Sequence, residues 1–304
     1  MHPSAPLRMH KGELEFDLVS DGNLWVDPGG PFGLVPRALY RRIVEPNENH
    51  LILQSLTCLL VRSEGKAILI DTGLGPKLDV KEIQNWGLVR PGGGLVQGLA
   101  RLGLSPGEID LVLCTHLHAD HCGGNTRLED GQVVPTFPNA TYLVQRMEWA
   151  DASHPDPRTR GTYFAANFAT LVKEGRMRLL HGDLQVTRHV RCVVTPGHTR
   201  GHQSVVLESD DWSGMFVSDM ATYSIHMART GWLTAFDVEP LENIRTKQRW
   251  QRWALERDAW LFFIHDPEKP VARLREQDGR LEAVLVEEAQ PIIDPLPTPQ
   301  PTLE

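Results

Sequence analysis

The heptapeptide Thr115-His116-Leu117-His118-Ala119-Asp120-His121 constrains this chain more than any other feature, because four potential metal ligands fall within six positions. They come directly after Ile109 to Cys114, an apolar run of strand character. Three imidazoles and a carboxylate at that density, at the edge of a core, repel one another and forgo solvation unless cations hold them. His116 and His118 stand two apart, so an extended backbone aims both the same way. Asp120 and His121 follow once the chain has turned and can reach a second ion. The plain alternative is a solvated polar loop, and the rest of the chain decides between the two.

The composition belongs to a globular enzyme. With 304 residues, 41% hydrophobic and 23% charged, the chain can bury a large core, as one long domain or two fused halves. A formal net charge of -8 lacks the basic footprint of a nucleic-acid binder, so no nucleic-acid partner is expected. Cys58, Cys114, Cys122 and Cys192 show no CxxC pairing and are expected as reduced thiols. Met1 to Asp17 lacks the apolar stretch of a signal peptide, and no later run reaches the length of a membrane span. The expectation is a cytoplasmic protein with no membrane partner, for which a homodimer is left open.

Strand-like segments alternate with helical ones, which argues for a layered α/β architecture. Expected strands are Leu56 to Arg62, Ala67 to Ile70, Ile109 to Cys114, Thr141 to Gln145, Val190 to Thr195, Ser204 to Glu208, Gly214 to Val217 and Trp260 to Ile264. Leu95 to Leu104 and Glu239 to Asp258 read as helices, the second carrying Leu241, Ile244, Trp250, Trp253 and Ala254 at helical spacing. Residues 1–288 read as one domain of two halves, with the boundary near Ala165. Residues 289–304 are a proline-rich tail, expected to be extended or disordered.

The HxHxDH arrangement followed by Gly123-Gly124-Asn125 resembles the metallo-β-lactamase superfamily, and the resemblance continues in order along the chain. Pro196-Gly197-His198-Thr199, Ser218-Asp219 and Phe262-Phe263-Ile264-His265 match its later elements, and Ala67 to Gly73 matches its strand ending in Asp-Thr-Gly. The likeness spans residues 50 to 270 or so and implies a four-layer αββα sandwich with metals at one edge between two sheets. It also implies that His116, His118 and His198 hold one ion, that Asp120, His121 and His265 hold another, and that Asp219 bridges them. Asp71 would orient a ligand imidazole through a hydrogen bond, although Asp-Thr-Gly after a strand is also ordinary turn chemistry. His202 reads as structural or as a similar support. Two such ions can share a water and lower its pKa toward neutrality, which is hydrolytic chemistry. Nitrogen and carboxylate donors suit Zn2+ and equally iron, cobalt or manganese. The bridging Asp219 and the lack of a cysteine ligand set the chain apart from true β-lactamases.

Asp21-Gly22, Trp25, Asp27, Gly29-Gly30 and Phe32 to Pro36 resemble the leader of the branch that includes N-acyl-homoserine lactone lactonases and methyl parathion hydrolases. Both handle uncharged, partly apolar substrates. Phe32, Leu34, Trp86, Trp149, Trp232 and Phe236 are candidates to line an apolar pocket, each weighed against a core role. Tyr223 is expected to contact the substrate carbonyl, one residue later than the tyrosine of the better-known lactonases, and His226 is its rival. The leading expectation is therefore a dinuclear lactonase in which Asp120 or Asp219 relays a proton and Tyr223 assists the oxyanion. A phosphotriesterase of the methyl parathion hydrolase type is the alternative. A non-catalytic, metal-stabilised binding protein is the third reading.

Overall fold

A computed structural model describes residues 8–289. Apart from Ala289, which is buried in the core, the expected proline-rich tail lies outside these residues. Two sheets carry the fold. The first runs Met9–Lys11, Leu14–Val26, Ile52–Ser63, Lys66–Ile70, Leu111–Leu113, Thr141–Gln145, Met177–Leu180, with Leu88–Val89 paired beside Leu14–Val26. The second runs Leu184–Thr187, Val190–Val194, Gln203–Ser209, Trp212–Phe216, Trp260–Phe262, Val271–Gln277, Arg280–Leu285.

The central strands are apolar on both faces because both faces are covered, which is why they read as near-continuous hydrophobic runs. In Ile52–Ser63, Leu59 and Val61 enter the core between the sheets, while Cys58 and Leu60 enter the outer core. Ile68, Ile70 and Leu113 of the first sheet share the inner core with Val205, Leu207, Phe216 and Phe262 of the second. Burial stabilises each such side chain by roughly 1.5–3 kcal/mol. The outer face of the first sheet is covered by Leu95 and Leu99 of helix Leu95–Arg101, Ala152 of Arg146–Ser153 and Leu171 of Ala169–Lys173. Trp250 and Ala254 of Pro240–Glu256 cover the second sheet over Val193, Val206, Met215 and Leu261. The result is the four-layer αββα arrangement. Leu241, expected on the apolar stripe of that helix, is exposed instead.

Lys66–Ile70, Leu111–Leu113, Thr141–Gln145 and Met177–Leu180 pair parallel in succession, as do Trp212–Phe216 and Trp260–Phe262 in the second sheet. Parallel neighbours need crossovers, so the loops at their carboxyl ends are free to carry chemistry. The chain passes from one sheet to the other between Leu180 and Leu184, later than the boundary expected near Ala165. The turn at Ala165–Asn167 belongs to the first half, because Met177–Leu180 still adds to the edge of Thr141–Gln145.

Candidate metal centre

The motif turns the chain as its spacing requires. His118 is extended, with φ -61° and ψ 150°, and Ala119–Cys122 then makes one short helical turn that carries Asp120 and His121 around to the other side. His198 follows strand Val190–Val194 in a loop packed tightly on helix Pro240–Glu256. Gly197 has φ +141°, and a Cβ there would lie 2.4 Å from Asn243 Cα, so only glycine lets the loop approach. Asp219 follows Trp212–Phe216, next to Ser218, a non-glycine residue held at φ 49°. His265 is fixed across the sheets: its carbonyl accepts from Ser55 N–H at 3.1 Å, and its Nδ1 lies 2.9 Å from Ser55 O.

These segments converge on three overlapping groups of donors: His116, His118 and His198; His116, His121 and Asp219; and Asp120, His121 and His265. His198 Nε2 lies 3.1 Å from His118 Nδ1, and His265 Nε2 lies 3.2 Å from His121 Nε2. Asp219 stands between the groups, with Oδ2 at 3.3 Å from both His121 Nε2 and His198 Nε2 and Oδ1 at 3.3 Å from His265 Nε2. Asp120 Oδ2 is 3.6 Å from His265 Nε2.

The donor set fits metal ions. Donors around a tetrahedral ion with bonds of about 2.0–2.1 Å lie about 3.3–3.4 Å apart, close to the spacings found. His116 Nε2 and Asp219 Oδ1 are buried without a hydrogen-bond partner, a costly state that a cation relieves. Burial, reinforced by neighbouring imidazoles, pushes His116 and His118 well below the ordinary imidazole range, so both present neutral rings. Burial alone would raise Asp219, but the imidazoles of His265, His121 and His198 outweigh it and hold the carboxyl well below its usual range. Burial opposes charge on His121, yet Asp219 and Asp120 prevail and raise its pKa well above the ordinary value.

Residues 54–246 match the family model of the metallo-beta-lactamase superfamily. The chain belongs to that superfamily. N-acyl homoserine lactonase AttM of Rhizobium radiobacter is 28% identical over 190 residues, which cover 60% of this chain and 68% of that protein. N-acyl homoserine lactonase AiiA of Bacillus thuringiensis subsp. kurstaki is 27% identical over 182 residues, covering 55% and 64%. Among solved structures, a probable metal-dependent hydrolase from Staphylococcus aureus superposes with a TM-score of 0.83 at 28% identity, over 92% of this chain and 99% of the other. AidC, a dizinc quorum-quenching lactonase in complex with its product, superposes at 0.76 with 21% identity over 94% and 98%, a likeness of fold. The protein is a hydrolase of the metallo-beta-lactamase superfamily.

Two of the candidate ligand histidines, His121 and His198, turn their outer ring nitrogens to buried carboxylates. Asp71 takes His121 Nδ1 at 2.9 Å, Thr115 N–H at 2.8 Å and Thr115 Oγ1 at 2.7 Å. Asp237 takes His198 Nδ1 at 2.9 Å and also accepts from Thr234 and Asn243. Asp237 was not legible as a site residue, because it is 39 positions from its histidine and no motif marks it. His202 is fully buried, with Nδ1 at 2.8 Å from Thr195 Oγ1, and stands outside the donor groups. Burial and the nearby His198 lower its pKa to about 3.

A cavity of about 380 Å³ opens onto His118, Asp120, His198 and Asp219. Leu24, Val26, Pro31, Trp86 and Phe236 form its apolar wall, with Gln54 and Thr222 as further polar lining. Of the six residues expected to line an apolar pocket, Trp86 and Phe236 are there, and Phe32, Leu34, Trp149 and Trp232 are not, Trp149 packing against the outer core instead. Phe32 is fully buried in a core cluster with Tyr40, Ile52 and Tyr223. Trp232 and Leu34 line a separate cavity of about 610 Å³. His226 is buried against Phe32, with Nδ1 at 3.3 Å from Tyr223 N. Tyr223 also departs from expectation: it stacks on Phe32, and its hydroxyl donates to Leu53 O at 3.0 Å. Thr222, one residue earlier, faces the cavity with its hydroxyl unpartnered.

Proposed function

We propose that the protein is a dinuclear metal-dependent lactonase acting on N-acyl-homoserine or related lactones, with zinc as its metal. The observation that carries this reading is Asp219, whose carboxylate stands 3.3 Å from ligand nitrogens of both donor groups beneath an apolar-walled cavity. His116, His118 and His198 would hold one ion, Asp120, His121 and His265 the other, and Asp219 would join them. Two such ions would supply a hydroxide nucleophile at neutral pH and Lewis-acid polarisation of a carbonyl oxygen.

The chain's own residues do the rest. Leu24, Val26, Trp86 and Phe236 hold an acyl tail and exclude water. Asp120, whose side chain is 16% exposed and lines the cavity, would relay the proton given up by the attacking hydroxide to the departing alkoxide. With the Tyr223 hydroxyl committed to the backbone, the Thr222 hydroxyl is the side-chain donor offered to the polar end of the substrate. The cavity lining includes no lysine or arginine, which supports an uncharged substrate and ranks anionic thioesters and phosphodiesters lower. The names of AttM and AiiA support the lactone. A phosphotriester would suit the same uncharged cavity and is the second reading. Four free, buried cysteines support a cytoplasmic setting, and the exposed Leu34, Leu39 and Ile43 support pairing of two copies.

The test is turnover across lactones, aryl phosphotriesters and thioesters on protein of measured metal content. Two zinc ions per chain and the highest kcat/KM on acyl-homoserine lactones are expected. Far higher kcat/KM on phosphotriesters moves the assignment to the second reading, and a fully loaded protein inert on every class makes it a binding protein.

A further inference from the structure

Glu148 is fully buried in helix Arg146–Ser153, and no lysine or arginine pairs with it among the described residues. Its carboxylate instead collects neutral donors from the loops around the metal centre. Oε1 accepts from Leu117 N–H at 2.9 Å and from the Tyr163 hydroxyl at 3.0 Å, and Oε2 accepts from the Thr199 hydroxyl. Leu117 lies between His116 and His118, and Thr199 follows His198. One carboxylate thus ties the two loops that carry the three histidines of a single donor group.

The packing around this tie is close. A Cβ on Gly201 would lie 2.2 Å from Glu148 N, so the His198 loop rests directly on the backbone of the helix. Asp151, one turn along the same helix, takes Arg200 Nε at 2.9 Å and grips the loop a second time at the surface. His265 and Asp120 have no contact of this kind with Glu148. A buried charge without a cationic partner is costly, and it persists where something nearby compensates it.

We propose that Glu148 is a positioning residue for one of the two ions: it sets the separation of the His116–His118 loop from the His198 loop and supplies a buried negative charge beside that ion. This rests on the dinuclear reading. Glu148→Gln keeps the size of the side chain and one carbonyl oxygen while removing the charge. Its zinc affinity, measured by competition with a chromophoric chelator, should fall about 10–100-fold for one ion, the range found when groups supporting a metal ligand are replaced, and stay unchanged for the other. In a His265→Ala background, where the ion on the histidine trio remains, Glu148→Gln should cost the same factor. In a His198→Ala background it should cost nothing.

A role confined to folding would lower the melting temperature of the chelated protein and leave the two affinities in their original ratio. The proposal expects the chelated Glu148→Gln protein to melt no lower than the chelated wild type, since an unpaired buried charge has gone. Equal loss of both ions, or loss of neither, overturns the proposal. Failure of the dinuclear reading is distinguishable, because the unmutated protein would itself saturate at one ion.

Discussion

His121 Nδ1 lies 2.9 Å from Asp71 Oδ2, with both side chains fully buried, while His121 Nε2 faces Asp219 and His265. This contact selects the tautomer that leaves Nε2 free for a metal. Asp71 is held at φ 57°, a left-handed conformation that aspartate and asparagine tolerate better than other side chains. Asp71→Asn therefore tests the charge without disturbing the backbone. The substitution should weaken zinc binding about 10–100-fold in a chelator competition. Unchanged affinity would reduce Asp71 to turn chemistry.

Tyr223→Phe should leave kcat/KM for lactones within about twofold while costing about 1 kcal/mol of stability, because it removes the hydrogen bond to the carbonyl of half-buried Leu53. Thr222→Val should do the reverse, lowering kcat/KM several-fold, roughly the 1 kcal/mol of a typical hydrogen bond, with little change in the urea midpoint. A large kinetic effect at Tyr223 and none at Thr222 would show that the phenol does reach the substrate.

Phe236 is 49% exposed and covers Gly30, where a Cβ would lie 2.8 Å from its ring, so it closes one side of the metal cavity. Each buried methylene of an acyl tail adds about 0.8 kcal/mol, near fourfold in kcat/KM, until the apolar wall is covered. Phe236→Ala should flatten that dependence on chain length and leave the shortest lactones little affected. A parallel loss at every chain length would assign Phe236 to the chemistry or to folding.

Cys192 lies in the core between the sheets, where burial pushes its thiol from 9.0 up to about 12. Between these values the folded chain keeps a proton that the unfolded chain has released, so stability falls as pH rises. The contribution is intact below pH 9.0 and erodes by about 1.4 kcal/mol per unit above it. Cys192→Ala should be less stable than the wild type at pH 7, and the gap should narrow above pH 9.0 in urea titrations. A gap independent of pH would mean that water reaches the thiol.

The strands that carry the site were legible because each is an apolar run ending in a chemically distinctive cluster: Ile70 before Asp71, Leu113 before the histidine motif, Phe262 before His265. Leu14–Val26 was not. Asp17, Ser20, Asp21 and Asn23 interrupt its apolar pattern; Asp17 and Asp21 are nonetheless buried because distant groups satisfy them, Arg62 for Asp17 and Arg90 with the Leu95 N–H for Asp21. A register irregularity between Ser20 and Asn23 further breaks the alternation. The hairpin of Val271–Gln277 and Arg280–Leu285 was hidden in the same way, by the charged side chains on its solvent face.

The identity and order of the seven candidate ligands are properties of the sequence itself, since coordination chemistry depends on residue type and each cluster is only a few residues long. Their partners depend on the tertiary structure. Asp237 reaches His198 across 39 positions, and Glu148 joins loops that lie 31 residues before it and 51 after it. Position 223 shows the same limit in a single side chain: both Thr222 and Tyr223 carry a hydroxyl, and nothing local separates them. The ring of Phe32 and the carbonyl of Leu53, 170 residues upstream, draw Tyr223 into the core and leave Thr222 facing the cavity. The direction of a loop side chain is set by the long-range packing that can accept it.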